Sequence, residues 1–368
     1  MKIAFYVGSL SKGGAERVVL NLTKYFLQIG YEVIMVNYHE EENEYALPKQ
    51  VKRYIVDLSQ EEITNNRIVN FQRRFCKLRN VWKKEKPDRI VSFIGKTNLM
   101  TIATSRFLHI PVVVSVRSNP EREYCSRAMQ LGMKILFPMA DGIVLQTNQA
   151  KTYFPKTIQK KSVILPNSIS EDFIRPYYQG ERVHNIVSVG RIDQNKNQML
   201  LVQAFHELIK ENKWNQDDKD SWRLVLYGDG SMREQIEQYC IEQHLTESVI
   251  FMGVQDNIAD QIQKASIFVL TSRQEGMPNA LIEAMALGLA VISTDCPCGG
   301  PADLIQDGLN GYLIPVDNKN ILKKKLFTLI EQKEKRDAFG KKACEIVERL
   351  HPDKVNEMWC SYLKQIGN

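Results

Sequence analysis

Short apolar runs rich in β-branched residues alternate with longer amphipathic segments along most of this chain. Residues 1–38 hold an apolar run, a glycine-containing loop, a segment of helical periodicity and a second apolar run after IGY. Buried strands separated by helices are typical of parallel sheets, because parallel strands are joined by helical crossovers. The same alternation predicts strands within DRIVSFIG, IPVVVSVRS, DGIVLQT and KSVILPNSI.

A polar segment, SEDFIRPYYQGERVH, interrupts this pattern and predicts a linker, since it contains proline and glycine and has no periodicity. The alternation then restarts, and NIVSVG, RLVLYGDG, VIFMG, IFVLTS, AVIST and GYLIP predict later strands. We therefore predict two Rossmann-like α/β domains, residues 1–170 and 171–352, with an interdomain cleft at the carboxyl ends of their sheets. Residues 353–368 are predicted to form a helix that packs back on the first domain.

Composition narrows the class of protein without defining it. The length of 368 residues suits two domains, and 43% hydrophobic with 25% charged residues is ordinary for a globular protein. Without a secretory signal or paired cysteine spacing, a reduced cytoplasmic protein is expected. Cys296 and Cys298 flank a proline and predict a turn, not a metal site. The net charge of +6 permits an anionic partner, but no recognised nucleic-acid module accompanies it.

The stretch EGMPNALIEAMALG contains two acids in contrasting settings. Residues 280–288 form a segment that is apolar on every side except at Glu283, so a buried helix with a buried carboxylate is predicted. Ribose hydroxyls from a nucleotide would satisfy this acid, and an arginine partner is the alternative. The preceding GMPN turn leaves backbone amides free for a diphosphate, and Glu275 would face the group beyond the phosphates.

A loop after the first predicted strand of the second half carries complementary positive charge. Arg191 and Lys196 lie in GRIDQNKN, and either side chain can contact phosphate oxygens. Glycine-bearing strand ends at YGDG and GVQDN can admit a flat base close to the backbone, although ordinary turns are the alternative.

Taken together, GGAERV, GRIDQNKN and the Glu-x7-Glu signature EGMPNALIE resemble the retaining glycosyltransferases of family 4, which have the GT-B fold. The resemblance covers nearly the whole chain. It implies that Arg191 and Lys196 contact the nucleotide diphosphate and that Glu275 contacts the donor sugar, making these three the catalytic set. The donor-binding residues that it implies are Glu283, Gly276, Met277, Pro278, Asn279, Ala280, Val254 and Gly190.

The resemblance also implies the chemistry. An α-linked product would be made from an α-linked nucleotide sugar by front-side displacement, with the leaving diphosphate accepting the proton of the acceptor hydroxyl. Positive charge around the diphosphate would stabilise the leaving group. No general base, metal or other cofactor is expected, and no Asp-x-Asp motif is evident.

Two parts of the first half are predicted to bind the acceptor. Gly13 and Gly14 follow the first strand at the head of a helix, with Ser11 as a possible cap, and free amides there can hold an oxygen. Arg117 occupies the place where family members commonly carry a histidine. A permanent cation cannot act as a base, but it can bind a phosphate.

The segment NRIVNFQRRFCKLRNVWKKEKPD predicts a basic amphipathic helix with apolar residues Ile68, Phe71, Phe75, Leu78 and Trp82 on one face. Arg73, Lys77 and Lys84 fall on the opposite side, with Arg67 and Arg74 along another edge. Such a helix indicates either a solvated charged surface or a contact with a membrane or lipid phosphate. The chain is similar to bacterial transferases that extend glycans on undecaprenyl diphosphate, such as the N-acetylgalactosamine transferase of bacterial N-glycosylation, which favours the lipid.

The sequence therefore predicts a hexosyl or N-acetylhexosaminyl transferase (EC 2.4.1.-) that is peripheral on the inner face of the cell membrane. It would move a sugar, N-acetylgalactosamine by resemblance, from a UDP-sugar to a polyprenyl-diphosphate-linked glycan in surface polysaccharide or glycan biosynthesis. The alternatives are a transferase of the same fold with a soluble acceptor and a non-catalytic nucleotide-sugar binding protein.

Overall fold

The computed structural model describes residues 1–11, 13–212 and 221–367. These residues form two compact units, one of residues 1–168 with the segment from 352 onward, and one of residues 169–351. Each unit contains one wholly parallel sheet with helices around it, and the predicted α/β class with two Rossmann-like sheets is confirmed.

The sheet of the first unit has seven strands in the order β3-β2-β1-β4-β5-β6-β7. The strands are β1 (Lys2–Val7), β2 (Glu32–Asn37), β3 (Lys52–Ile55), β4 (Arg89–Phe93), β5 (Val112–Ser115), β6 (Gly142–Leu145) and β7 (Ser162–Ile164). The chain builds outward from β1 through β2 to β3 and then crosses to the other side at β4. The loops after β1 and β4 therefore diverge, and the sheet has its topological switch point there.

The helices of the first unit connect these strands. They are α1 (Gly14–Gln28), α2 (Arg67–Glu85), α3 (Gly95–Ser105), α4 (Pro120–Glu123), α5 (Arg127–Leu136), α6 (Asn148–Thr152) and α7 (Lys156–Gln159), with a 3₁₀ turn at Phe137–Met139. The last helix of the chain, α16 (Pro352–Gln365), belongs to the same unit. Its Trp359 is fully buried, and the indole lies 5.8 Å from the ring of Phe93.

The sheet of the second unit has six strands in the order β10-β9-β8-β11-β12-β13. They are β8 (Val183–Val189), β9 (Arg223–Tyr227), β10 (Val249–Gly253), β11 (Ala265–Leu270), β12 (Ala290–Thr294) and β13 (Tyr312–Ile314). Here the order reverses between β8 and β11, which are direct neighbours.

The second unit begins with a 3₁₀ turn at Glu171–Phe173, and its helices cover both faces of the sheet. They are α8 (Gln198–Asn212), α9 (Arg233–Glu242), α10 (Ile258–Ile262), α11 (Asn279–Ala286), α12 (Gly300–Leu304), α13 (Lys319–Glu331), α14 (Lys333–Ala343) and α15 (Ile346–Leu350). Every residue of β11 and β12 is buried, because helices pack against both sides of these central strands.

A buried carboxylate ties three elements of the first unit together. Glu85 at the end of α2 is 8% exposed and pairs with Lys2 of β1 at 2.8 Å and with Lys52 of β3 at 2.5 Å. The Tyr54 hydroxyl donates to the same carboxylate. The Lys2 ammonium, followed by Lys52 and Tyr54, lowers the pKa of Glu85 from its ordinary value of 4.5 to about 2.

We expect Glu85→Gln to destabilise the protein by about 1–3 kcal/mol at neutral pH, because two lysines lose a buried charged partner. A carboxylate with a lowered pKa stabilises the folded state above its ordinary pKa, and this contribution is lost as the pH falls towards 2. The deficit of the variant, measured by urea unfolding, should therefore narrow below about pH 4. Glu32→Gln is the control, since Glu32 also pairs with Lys2 but is exposed. A constant deficit across this pH range would contradict the assignment.

Candidate functional site

The switch point of the second unit brings two chemically distinctive loops together. The loop that follows β8 carries Lys196, and the loop that follows β11 carries Glu275. The Lys196 Nζ lies 2.5 Å from Glu275 Oε1, and the two side chains are 20% and 12% exposed. Both residues were predicted at the site, and the fold places them in direct contact.

A third side chain holds the same carboxylate oxygen. The Ser272 hydroxyl donates to Glu275 Oε1 at 2.6 Å, and Ser272 is fully buried. Lys196 and Ser272 thus share one oxygen of this carboxylate, and the second oxygen keeps its own capacity to accept a hydrogen bond. Ser272 was not predicted, although it lies only three residues before Glu275, because nothing in its sequence position shows which oxygen it contacts.

Backbone hydrogen bonds fix the position of the lysine. Asp193 Oδ1 accepts from the amides of Asn195 at 2.9 Å and Lys196 at 2.8 Å, which is an Asx turn. The Asn195 side chain in turn donates to the carbonyl of Gln274 at 3.0 Å, and the Arg273 amide donates to the Asn195 carbonyl at 2.7 Å. The two loops are therefore braced against each other before any ligand binds.

Arg191 lies in the same loop but is held differently. Its side chain is 78% exposed, and its Nε lies 3.1 Å from Asp193 Oδ2. The guanidinium thus extends from the carboxyl edge of the sheet with most of its donors facing solvent.

The predicted buried helix with a buried acid is confirmed. In α11, Leu281 to Ala286 are all buried, and Glu283 is 6% exposed. The turn before it is held by the Glu275 amide, which donates to Pro297 O at 2.8 Å, and by the Cys298 amide, which donates to Glu275 O at 2.9 Å. Burial raises the pKa of the nearby Cys296 thiol to about 12, so this cysteine remains a thiol near neutral pH.

The motif turn is also packed against the start of α12, which explains the glycine that begins that helix. A Cβ on Gly300 would lie 1.8 Å from the carbonyl oxygen of Gly276 and 3.0 Å from the Cα of Met277. A side chain at position 300 would push this turn aside. The residues Gly276, Met277, Pro278, Asn279 and Ala280 thus keep a defined path into α11.

Glycine-containing loops stack at the ends of three neighbouring strands. The Gly190 amide donates to Tyr227 O at 2.9 Å, and the Gly228 amide donates to Gly253 O at 2.7 Å. A Cβ on Gly228, where φ is +129°, would lie 2.0 Å from Gly190 O. Beyond these loops the side chain of Val254 is 77% exposed.

In the first unit, the predicted glycines begin α1. Gly13 is the N-cap and Gly14 the first helical residue. No side chain of the described residues caps the helix, so the assignment of Ser11 as a cap is wrong. The Ser11 carbonyl instead accepts from the Gly13 amide at 2.6 Å. The Glu16 carboxylate lies against Gly13, where a Cβ would be 2.3 Å from Glu16 Oε2, and burial raises the pKa of this acid.

Arg117 belongs to a group of buried polar side chains that follow three adjacent strands. Arg117 follows β5, Gln146 follows β6 and Asn167 follows β7, and both Arg117 and Gln146 donate to Asn167 Oδ1. Arg117 is 8% exposed, and within the described ranges its Nε and Nη1 have no hydrogen-bond partner. Burial lowers the pKa of the guanidinium to about 10, so it remains charged at neutral pH and can bind an anion.

A mostly apolar pocket of about 730 Å³ lies at the switch point of the first unit. Its lining includes Tyr6 and Gly8 at the end of β1 and Lys96 just after β4. The apolar wall comprises Phe71, Leu99, Met100, Ala103 and Leu136, and Arg67 and Arg74 lie on the α2 side. The pocket combines a hydrocarbon surface with three cations, and Lys96 was not predicted because it lies outside the basic helix.

The three cations of α2 that were predicted to bind the acceptor have partners within the first unit. Arg73 donates to the carbonyl of Glu62, and Lys77 lies 2.6 Å from the Glu62 carboxylate. Lys84 lies 5.8 Å from the centre of the Tyr54 ring. The predicted apolar face is split, since Leu78 and Trp82 are fully buried whereas Ile68 and Phe71 are 69% and 55% exposed.

No group of three or more His, Cys, Asp or Glu side chains arranged to hold a metal ion occurs among residues 1–11, 13–212 and 221–367. In the same part of the chain, no helix has the length and apolar character that crossing a membrane requires.

Solved structures identify the fold as GT-B. HepE of Anabaena, solved in complex with UDP, matches with a TM-score of 0.80 at 17% identity, covering 99% of this chain and 100% of that one. Sucrose-phosphate synthase from Thermosynechococcus elongatus matches with a TM-score of 0.81 at 18% identity, covering 99% and 98%. At these identities the matches show the fold alone.

The sequence comparisons give the family. Residues 12–173 match the model described as Glycosyltransferase Family 4, and residues 171–345 match Glycosyl transferases group 1. The chain therefore belongs to the family 4 glycosyltransferases, and the predicted class of enzyme is confirmed.

Two curated relatives extend over nearly the whole chain. The GalNAc-alpha-(1->4)-GalNAc-alpha-(1->3)-diNAcBac-PP-undecaprenol alpha-1,4-N-acetyl-D-galactosaminyltransferase of Campylobacter jejuni is 27% identical over 371 residues, 100% of this chain and 99% of the relative. The amylovoran biosynthesis glycosyltransferase AmsD of Erwinia amylovora is 22% identical over 359 residues, 96% of each chain.

We expect Gly228→Ala to lower the thermal unfolding temperature, because the new methyl group would overlap the carbonyl of Gly190. Gly308→Ala is the matched control, since Gly308 also has a positive φ of +78° but has no atom within 4 Å of an added Cβ. Differential scanning calorimetry should show a larger decrease for Gly228→Ala, by several degrees for a backbone clash of about 1–3 kcal/mol. Equal decreases would mean that conformational strain alone explains both.

Proposed function

We propose that this glycosyltransferase transfers a sugar from a UDP-sugar, with retention of configuration, to a polyprenyl-diphosphate-linked glycan. The observation that carries the proposal is the pairing of Lys196 with Glu275 at the switch point of the second sheet, next to the N-terminus of α11. A cation, an acid and a helix N-terminus at this edge match the charge pattern of a nucleotide diphosphate sugar.

The donor would lie along these groups in the order of their chemistry. The Lys196 ammonium has three donors, of which one contacts Glu275, and the others can reach phosphate oxygens together with the exposed Arg191. Glu275 would accept from a sugar hydroxyl through the oxygen that faces away from Ser272. The buried Glu283 would accept from the ribose hydroxyls, and Gly190 and Val254 would line the base. UDP in the solved structure of HepE supports a uridine nucleotide.

The proposed transfer breaks the bond between the anomeric carbon and the diphosphate oxygen. The acceptor oxygen forms its bond to the same face of that carbon, and its proton passes to the departing diphosphate. Lys196, Arg191 and the amides of the motif turn would stabilise the negative charge that develops on the leaving group. No side chain is assigned as a general base, which agrees with a positively charged Arg117 in the first unit.

A lipid-linked acceptor is supported by the pocket of the first unit. An acceptor with an isoprenoid chain and a diphosphate needs both apolar contact and cations, and the pocket between β1 and β4 offers both. The Campylobacter relative is named for an undecaprenol-linked substrate. We assign phosphate contact to Arg67 and Lys96 ahead of Arg73, Lys77 and Lys84, whose side chains already contact Glu62 or Tyr54. N-acetylgalactosamine is the proposed donor sugar, and the enzyme would act at the membrane surface.

Gly13, Gly14 and Arg117 complete the proposed acceptor side. The unpartnered nitrogens of the buried Arg117 are suited to an anionic oxygen, and the start of α1 allows a ligand close to the backbone.

We expect Glu275→Gln to lower the turnover of UDP-N-acetylgalactosamine by about 100-fold or more, because a preorganised charge near the transferred sugar is lost. The affinity for UDP, measured by calorimetry, should change by no more than about two-fold. Glu283→Ala should instead weaken UDP binding. Asp317→Asn is the control, since Asp317 bonds to Arg273 and Asn197 near the loops but does not contact Glu275. Wild-type turnover in Glu275→Gln would refute the site.

The acceptor assignment predicts a separate effect on KM. Arg67→Gln combined with Lys96→Gln should raise KM for a polyprenyl-diphosphate glycan by about ten-fold, through loss of two charge contacts, with KM for the donor unchanged. Lys24→Gln combined with Lys83→Gln is a matched control, because both lysines are exposed and lie outside the pocket.

The role of the hydrocarbon chain can be tested by comparing a prenylated acceptor with the same glycan diphosphate lacking the prenyl chain. Mass spectrometry would measure the products formed from each acceptor. Ala103→Phe, which fills the pocket, should impair use of the prenylated acceptor and leave the prenyl-free one unaffected. If both acceptors respond equally, the pocket does not bind the lipid and a soluble acceptor is favoured.

A further inference from the structure

A groove lies in the second unit at the amino ends of the strands, whereas Lys196 and Glu275 lie at their carboxyl ends. It has a volume of about 790 Å³ and is formed by the segment before β8 together with α14. Strand β8 begins at Val183, so residues 177–182 lie at its amino end, whereas the loop of Lys196 follows its carboxyl end. The groove is therefore separate from the proposed donor site.

The charges of the groove favour an anion. Four cations, Arg182, Lys333, Arg336 and Lys341, line it with two carboxylates, Glu181 and Asp337. Lys333 and Glu181 are 3.7 Å apart, and both side chains are largely exposed, so their mutual attraction is weak. The four cations outnumber the two carboxylates, so the lining residues carry a net positive charge.

One of these cations is buried and incompletely bonded. Arg336 is 6% exposed, and its Nη1 donates to Leu329 O at 2.6 Å and Ile330 O at 3.1 Å. Within the described part of the chain its Nε has no hydrogen-bond partner. The guanidinium lies 5.2 Å from the Trp222 ring, which stacks on His184 at 4.8 Å. Asp337 and Glu334 attract this guanidinium without forming a hydrogen bond to it among the described residues, and an anion in the groove would add to that attraction.

The floor of the groove is rigid. Arg182 donates to the carbonyls of Gln263, Ala265 and Leu287 at 2.8–2.9 Å, which fixes it to the amino ends of β11 and β12. A Cβ on Gly340 would lie 2.2 Å from Gly288 O, so α14 packs directly on the backbone beyond α11. A ligand would bind without reordering of this backbone.

The lining also indicates which kind of anion would bind. Apart from tyrosines, the largest apolar side chain among the lining residues is Ala338, so the groove offers little surface to an acyl or isoprenoid chain. This contrasts with the pocket of the first unit, whose wall is hydrocarbon. We propose that the groove formed by residues 177–184 and 333–341 binds a soluble phosphate-bearing anion, independently of the donor.

Hydrogen–deuterium exchange of the full-length enzyme with inorganic pyrophosphate tests this proposal. Binding should slow exchange in both segments, 177–184 and 333–341, through contacts with Lys333, Arg336 and Lys341. Lys333→Gln combined with Lys341→Gln should raise the pyrophosphate concentration needed for half-maximal protection by about ten-fold. This is the loss expected for two screened charge contacts.

The controls separate a built site from general attraction. Lys324→Gln combined with Lys354→Gln makes the same change in net charge at exposed lysines outside the groove and should leave the protection unchanged. Lys196→Ala should also leave it unchanged, even if it abolishes transfer. Equal weakening in both double variants, or no protection at all, would overturn the proposal. Protection by phosphatidylglycerol vesicles but not by pyrophosphate would overturn the soluble class of ligand.

Discussion

The reversal of strand order in each parallel sheet is the constraint on which the sites depend. Where β8 meets β11, and where β1 meets β4, successive loops leave the sheet in opposite directions, which opens a crevice between them. Side chains at these carboxyl ends can therefore contact a ligand while their backbones remain in a rigid core. Lys196 and Glu275 are 79 positions apart in sequence, yet they are in contact because their strands are neighbours.

Each switch point carries the chemistry of a different kind of ligand. The switch point of the second unit is polar. Asp193 holds the backbone of Lys196, and Ser272 holds the carboxylate of Glu275. The one in the first unit is a hydrocarbon pocket with cations on its margin. The transfer that we propose, from a water-soluble donor to an amphiphilic acceptor, would need this division, because one surface cannot bind a sugar nucleotide and an isoprenoid equally well.

The sequence predicted most of the fold, because long β-branched runs between helices have few alternatives to a parallel sheet. It missed β3, a short edge strand whose residues Lys52–Ile55 are only partly buried. It predicted Lys196 and Glu275 and the burial of Glu283, since composition and spacing carry that signal. It did not predict Ser272 or Lys96, because contacts between distant loops leave no local pattern. Helical periodicity predicted that Arg73, Lys77 and Lys84 lie on one side of a helix. It could not show that these side chains contact Glu62 or Tyr54.

The membership of α16 in the first unit has a consequence for biosynthesis. Trp359 fills the core beside Phe93, yet it is translated after the whole of the second unit. During synthesis, residues 1–168 emerge before the helix that completes their core, whereas residues 169–351 emerge with their whole core. Native packing around Phe93 therefore depends on a segment that is made after the second unit.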